Sequence, residues 1–178
     1  MLSAKKSTVD FRNIMDEEKT VLINLAKGVL RTNSFLLGAL FVAKIQMAAM
    51  SRVDLPPSER KPFYLYVDEF QNYATLSFAE IMSEARKYGL SLILAHQSLV
   101  QLADDLRDII LGNAKNFVIF RCDRQDGELI IKYIKDYDPF DWKLKTESSI
   151  TYFSKDEQWE EGIGELTGMP TQIAVLKT

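Results

Sequence analysis

Three short apolar runs, FYLYV at 63–67, LSLILA at 90–95 and NFVIF at 116–120, recur through the middle of the chain, separated by stretches with helical apolar spacing. Runs of this length suit strands buried on both faces, and strands alternating with helices imply β-α units. The class this predicts is α/β: a mostly parallel sheet with helices on both faces. Upstream, TVLINLA at 20–26 reads as a further buried strand, and Ser34 to Met50 as a helix apolar nearly all round.

Helix punctuation supports the alternation. In SFAEIMSEARKYG, Ser77 and Glu80 have capping-box spacing, and Gly89 stands where a left-handed C-terminal residue belongs. Leu99, Leu102, Leu106 and Ile110 predict another helix ending near Gly112, and Leu129, Ile130, Tyr133 and Ile134 one more after NFVIF. Past Asp136 the pattern loosens into DYDPFDWKLKTESS, with a final strand expected at TQIAVL, 171–176. The predicted organisation is one portion of a domain over 1–178, best defined over 10–136, with 137–178 as a C-terminal extension.

Composition narrows the function classes. The 178 residues carry a formal charge of -3, which is no global footprint for nucleic acid, so any such contact must be local. The single cysteine, Cys122, excludes an internal disulfide and a multi-thiolate zinc site, as fits a cytoplasmic setting. The most apolar stretch, 35–43, meets Lys44 and Gln46 too early for a bilayer span of roughly 18 residues, so no membrane-spanning segment is expected. MLSAKKSTVDFRNI lacks the apolar core and cleavage site of a secretory signal.

The chemistry lies at the strand ends. Ligands of open α/β sheets bind beyond the carboxyl ends of the strands, and those ends here carry Asp68-Glu69, His96-Gln97 and Arg121. Two adjacent carboxylates at an apolar strand tip are costly without a partner, and a bound cation relieves the cost. An apolar run ending in Asp-Glu is what a nucleotide hydrolase uses, one carboxylate holding Mg²⁺ and the next polarising water. Read alone, the pair serves equally well to cap a loop or helix.

Gln97 sits at the tip of the next strand, where a neutral amide can donate to a terminal phosphate and accept from water, or bond only to its own loop. Arg86 and Lys87 complement a helix dipole, or Arg86 reaches a neighbouring subunit's phosphates as a finger. Arg121 and Arg124 flank Cys122-Asp123 and fit either phosphate contact or ion pairs with Asp123, Asp126 or Glu128. His96 fits a packed imidazole, and Cys122 a small near-core residue. A metal-dependent nuclease would need further ligands, and His96 is the only histidine. GIGELTG at 162–168 has a spacing one residue too long for a dinucleotide loop and follows acidic DEQWEE rather than a strand, so it is expected to be a loop.

FYLYVDEFQNY, SFAEIMSEARKYGLSLILAHQSLVQL and ILGNAKNFVIFRCDRQD together resemble the motor domain of the HerA-FtsK superfamily, and more narrowly the coupling ATPases of conjugation and type IV secretion. The resemblance runs from residue 10 to about 131 and is strongest from Asp68 to Gln97. It implies a RecA-like P-loop NTPase core that binds ATP and Mg²⁺, forms a hexameric ring, and moves DNA or protein with secretion-system partners. Carried over, Asp68 resembles the Walker B magnesium carboxylate, Glu69 the catalytic carboxylate, Gln97 the sensor, Arg86 the finger supplied in trans, and Arg121 a further nucleotide contact.

The phosphate loop GxxxxGK[ST] is absent, since none of the eight glycines is followed by lysine. In the family that loop lies upstream of these motifs, so the resemblance implies an incomplete core: the Walker B-to-sensor half, lacking its phosphate-loop strand and helix. Alone, it is expected neither to bind Mg-ATP tightly nor to hydrolyse it, and to need its own N-terminal part and further subunits. The alternative expectation is a degenerate ATPase fold that docks in a ring or holds a partner without turnover.

Overall fold

The computed structural model describes residues 9–25, 28, 33–73, 77–145 and 149–178. They fall into two compact units, Met1–Gln97 and Ser98–Thr178.

In the first unit, the short helix α1 (Phe11–Asp16) is capped by Asp10, whose side chain accepts from the Asn13 amide. It packs on α2 (Asn33–Met50), with Phe11 edge-on to Phe41. The α2 face of Ser34, Gly38, Val42, Ile45 and Ala49 is buried, the spacing of one helical stripe. The opposite face, with Leu36, Leu40 and Met47, is exposed, so α2 is not covered on several sides as its composition predicts. By length and composition Asn33–Asp54 is long and apolar enough to cross a membrane, and a third of its apolar window is buried in the fold.

Strand β1 (Phe63–Val67) pairs in parallel with β2 (Leu90–Leu94), Phe63 opposite Leu90 and Val67 opposite Leu94. They are joined by α3 (Ser77–Glu84), which tightens into a 3-10 turn over Ala85–Tyr88 and stops at Gly89 in the left-handed region, φ 78. Only glycine suits that corner, because an added Cβ would lie 3.0 Å from the Lys61 carbonyl oxygen. The expected Ser77–Glu80 capping box lies outside the described side chains.

The strand expected at 20–26 is not formed: described residues 20–25 carry no regular structure, and Leu22 is 94% exposed. A strand needs an edge to pair with, and among the described residues β1 pairs with β2 alone.

The second unit opens with a 3-10 turn (Leu99–Gln101), then α4 (Asp104–Asn113), β3 (Phe117–Phe120) and α5 (Arg124–Ile134). The single helix predicted from Leu99 is thus broken, Leu102 and Ala103 being extended. Strand β3 pairs antiparallel with β6 (Ala174–Lys177), so the final strand expected at 171–176 begins three residues later, after a turn at 171–172. Between them come β4 (Trp142–Lys145) and β5 (Ile150–Tyr152), an antiparallel pair, and α6 (Lys155–Gly168).

GIGELTG is therefore helix, not loop. Ser154 and Glu157 form a full capping box at the start of α6, and Gly162 is where this helix meets α5. A Cβ on Gly162 would lie 2.5 Å from Ile131 Cδ1, and one on Gly127 would lie 3.3 Å from Ile163 Cγ2, so α5 and α6 approach closely through missing side chains.

Candidate functional site

The carboxyl end of the β1–β2 pair collects three of the residues singled out by sequence. Val67 ends β1, and the ladder continues past both strands: the Ala95 amide donates to the Val67 carbonyl, and the Phe70 amide to that of Ala95. Asp68, Glu69 and Gln97 are thereby held side by side.

Glu69 is the centre of the arrangement. It sits in the left-handed region, φ 52 and ψ 43, which for a residue with a side chain costs about 1–2 kcal/mol. Among the described residues five hydrogen bonds hold it there, one of them from the Asn72 backbone amide to its carbonyl. Asp68 Oδ1 accepts its backbone N–H at 2.9 Å, and Asn72 Nδ2 donates to its carbonyl at 3.0 Å. Its carboxylate is taken at both ends by amides, Gln71 Nε2 to Oε2 at 2.7 Å and Gln97 Nε2 to Oε1 at 2.5 Å. Behind it Phe70 is fully buried, edge-on to Phe78 with centroids 4.6 Å apart. A packed anchor one residue after the carboxylate fixes where Glu69 must point.

Asp68 is exposed and Glu69 half-buried, so the pair opens outward while the loop root is dry. A pocket of about 310 Å³ adjoins it, with Val42, Leu65, Val67 and Tyr73 among its walls. Among the described residues of its lining, the two carboxylates are the charged side chains. The α2 side of this wall depends on Gly38, since a Cβ there would lie 2.2 Å from the Tyr73 ring. Gly38→Ala should destabilise the chain by about 1–3 kcal/mol through overpacking, although alanine in a helix interior normally gains up to about 1 kcal/mol. Thermal unfolding checks this, and a stabilised variant would show that the ring has room to move.

Arg86 is not brought to this site. It is exposed on the turn that leads into β2, so the five-residue strand, roughly 16 Å, separates it from Gln97. There it lines a basic hollow of about 620 Å³ with Pro57, Arg60, Lys87 and Gly89. Arg60 is committed to structure, donating to the Arg52, Leu55 and Lys87 carbonyls and lying over Tyr88, while Arg86 makes no such tie among the described residues. His96 is half-buried, and its Nδ1 has no hydrogen-bond partner among the described residues.

In the second unit Arg121 is exposed just after β3. Arg124 pairs with Glu128 at 2.8 Å and with both oxygens of Glu160, so the ion-pair expectation holds for Glu128, and these carboxylates hold its pKa above the usual value. Burial, with the charges of Asp126 and Asp123, raises the half-buried Cys122 thiol, which makes it a poor nucleophile. Sequence reasoning missed Asp126. Buried on α5, it accepts from the Ser98 hydroxyl and from the Leu99 and Val100 amides, fixing the start of the second unit.

The donor set suits half of a magnesium-nucleotide site. Mg²⁺ is commonly held by one or two carboxylates, with waters and substrate phosphates completing its shell, and exposed Asp68 fits that role. Among the described residues no group of three or more His, Cys, Asp or Glu side chains is placed to hold a metal ion.

Residues 62–130 match the family model described as the TraM recognition site of TraD and TraG. No curated protein matches the chain.

Proposed function

We propose that, within the conjugative-transfer coupling protein context that the match supports, the chain is the Walker B-to-sensor half of an ATP-dependent motor with a RecA-like core. The observation carrying this is the Glu69–Gln97 contact at the shared tip of two parallel strands. A carboxylate that can polarise water is bonded to an amide that can turn to a terminal phosphate, which couples hydrolysis to nucleotide state.

Asp68 would hold magnesium, which when bound supplies charge neutralisation at the phosphates. Glu69 orients and deprotonates the attacking water, and Gln97 reports the phosphate. The phosphate cradle is expected upstream, in the parent protein's own N-terminal part, so the chain alone should be inactive. The ring is proposed as a hexamer at the cytoplasmic face of the membrane, with DNA and secretion proteins as partners.

The position of Arg86 agrees with action in trans. A guanidinium at the far end of β2 cannot serve its own Glu69, but an exposed fork of donors suits phosphates on a neighbouring subunit. In the full-length protein, Arg86→Ala should lower turnover about a thousandfold in assembled rings. Unchanged activity in rings of normal size would remove Arg86 from the mechanism.

A second reading is favoured by the family description: a partner-docking domain without turnover, in which residues 62–130 recognise a TraM-like protein. The missing GxxxxGK[ST] loop agrees with it. Binding of such a partner that survives Asp68→Ala and Glu69→Gln, in a full-length protein without ATPase activity, would put this reading first.

A further inference from the structure

We propose that Gln71 is a positioning residue of this site, holding the Glu69 carboxylate in its working orientation when Gln97 turns away to a phosphate. The inference rests on the motor reading and extends it to a residue outside the Asp-Glu pair and the sensor.

The geometry is specific. Gln71 Nε2 donates to Glu69 Oε2 and Gln97 Nε2 to Oε1, so the two amides bracket one carboxylate. A carboxylate only accepts, which settles that both glutamines present their NH₂ ends. The brackets differ in origin. Gln97 stands at the end of β2, whereas Gln71 belongs to the turn Phe70–Asn72, which is rooted by buried Phe70 and by the Asn72 and Tyr73 amides donating back to Glu69 and Phe70.

A group that senses phosphate must exchange partners during the cycle, and each exchange weakens its hold on Glu69. Gln71, tied to the carboxylate's own turn, has no phosphate to serve and can keep its bond throughout. Its Oε1 is buried and accepts from no group among the described residues, so none of those residues competes to rotate the amide away. A positioning bond to a charged acceptor is of the strong kind.

Two measurements test this. In the ¹⁵N-labelled 178-residue chain, the Gln71 side-chain amide resonances, identified by their loss in Gln71→Met, should shift in Glu69→Ala by more than those of Gln46, Gln101 or Gln125. No shift at Gln71 overturns the proposal, whether or not Gln97 responds. In the full-length protein, Gln71→Met should lower kcat for ATP about tenfold to a hundredfold, with KM within about twofold. An unchanged kcat, or an equal fall in affinity, overturns it. If the wild-type full-length protein hydrolyses no ATP, the motor reading is what fails, and the resonance shift still decides whether the bracket exists.

Discussion

Glu69→Gln in the full-length protein should lower ATP turnover by about 10²–10⁴-fold, the usual worth of a positioned general base. Mg-ATP affinity should stay within a few fold. The substitution is nearly isosteric and keeps an oxygen for one of the two bracketing amides, so the turn should remain folded while the base is lost. Asp68, the proposed magnesium ligand, is untouched. The measurement is steady-state hydrolysis beside calorimetric binding of Mg-ATP. Turnover within threefold of wild type would show that water is activated elsewhere, and Glu69 would then be a loop-capping residue. Loss of affinity equal to the loss of turnover would instead point to a disrupted site.

Much of this site was legible because its parts lie at the ends of strongly marked elements. FYLYV and the LSLIL part of LSLILA become β1 and β2 within a residue of their expected bounds, and Gly89 takes the left-handed position that its place after a helix predicts. Once two strands are neighbours, residues at their tips must meet, so Asp68, Glu69 and Gln97 follow from strand ends alone. The bracket by Gln71 was not legible. It depends on left-handed backbone at Glu69, and nothing in that residue type signals a positive φ.

Elsewhere, single residue types carried two meanings. GIGELTG is expected to be a loop because it does not fit a dinucleotide loop and follows acidic residues, yet it is helical and its Gly162 clears space for Ile131. Asp126 sits in a charge-rich DRQD stretch that resembles a solvated face, yet it is buried under two backbone amides. The β4–β5 pair was missed because β5 is exposed along its length, so no burial pattern marks it. Strand 20–26 failed for the opposite reason: its pattern is right, but pairing is a property of a neighbour and not of the segment.

Arg52→Ala is expected to destabilise the first unit by about 3–5 kcal/mol, the usual cost of removing one partner from a buried charged network. Its side chain is 0% exposed, with Nε on Asp16 at 2.9 Å and Nη1 donating to the Lys61 carbonyl at 2.9 Å and that of Tyr88 at 3.3 Å. These bonds tie α1 and the end of α2 to the chain entering β1 and β2, the strands whose far ends carry the site. On unfolding by heat the loss corresponds to a midpoint shift on the order of 10 °C. The exposed pair of Lys61 with Glu18, 3.1 Å apart, is the comparison: Lys61→Ala should cost less than about 1 kcal/mol, since solvent screens it. Arg52→Met decides what the guanidinium contributes. It keeps most of the packing, while leaving two carbonyls without their donor and Asp16 with Arg12 alone. Because one nitrogen, Nη2, already lacks a partner among the described residues, desolvation of the guanidinium is not fully offset. Met should therefore fall between Ala and wild type. A Met variant as stable as wild type would mean that packing at this corner, rather than the buried charge, aligns the two strands.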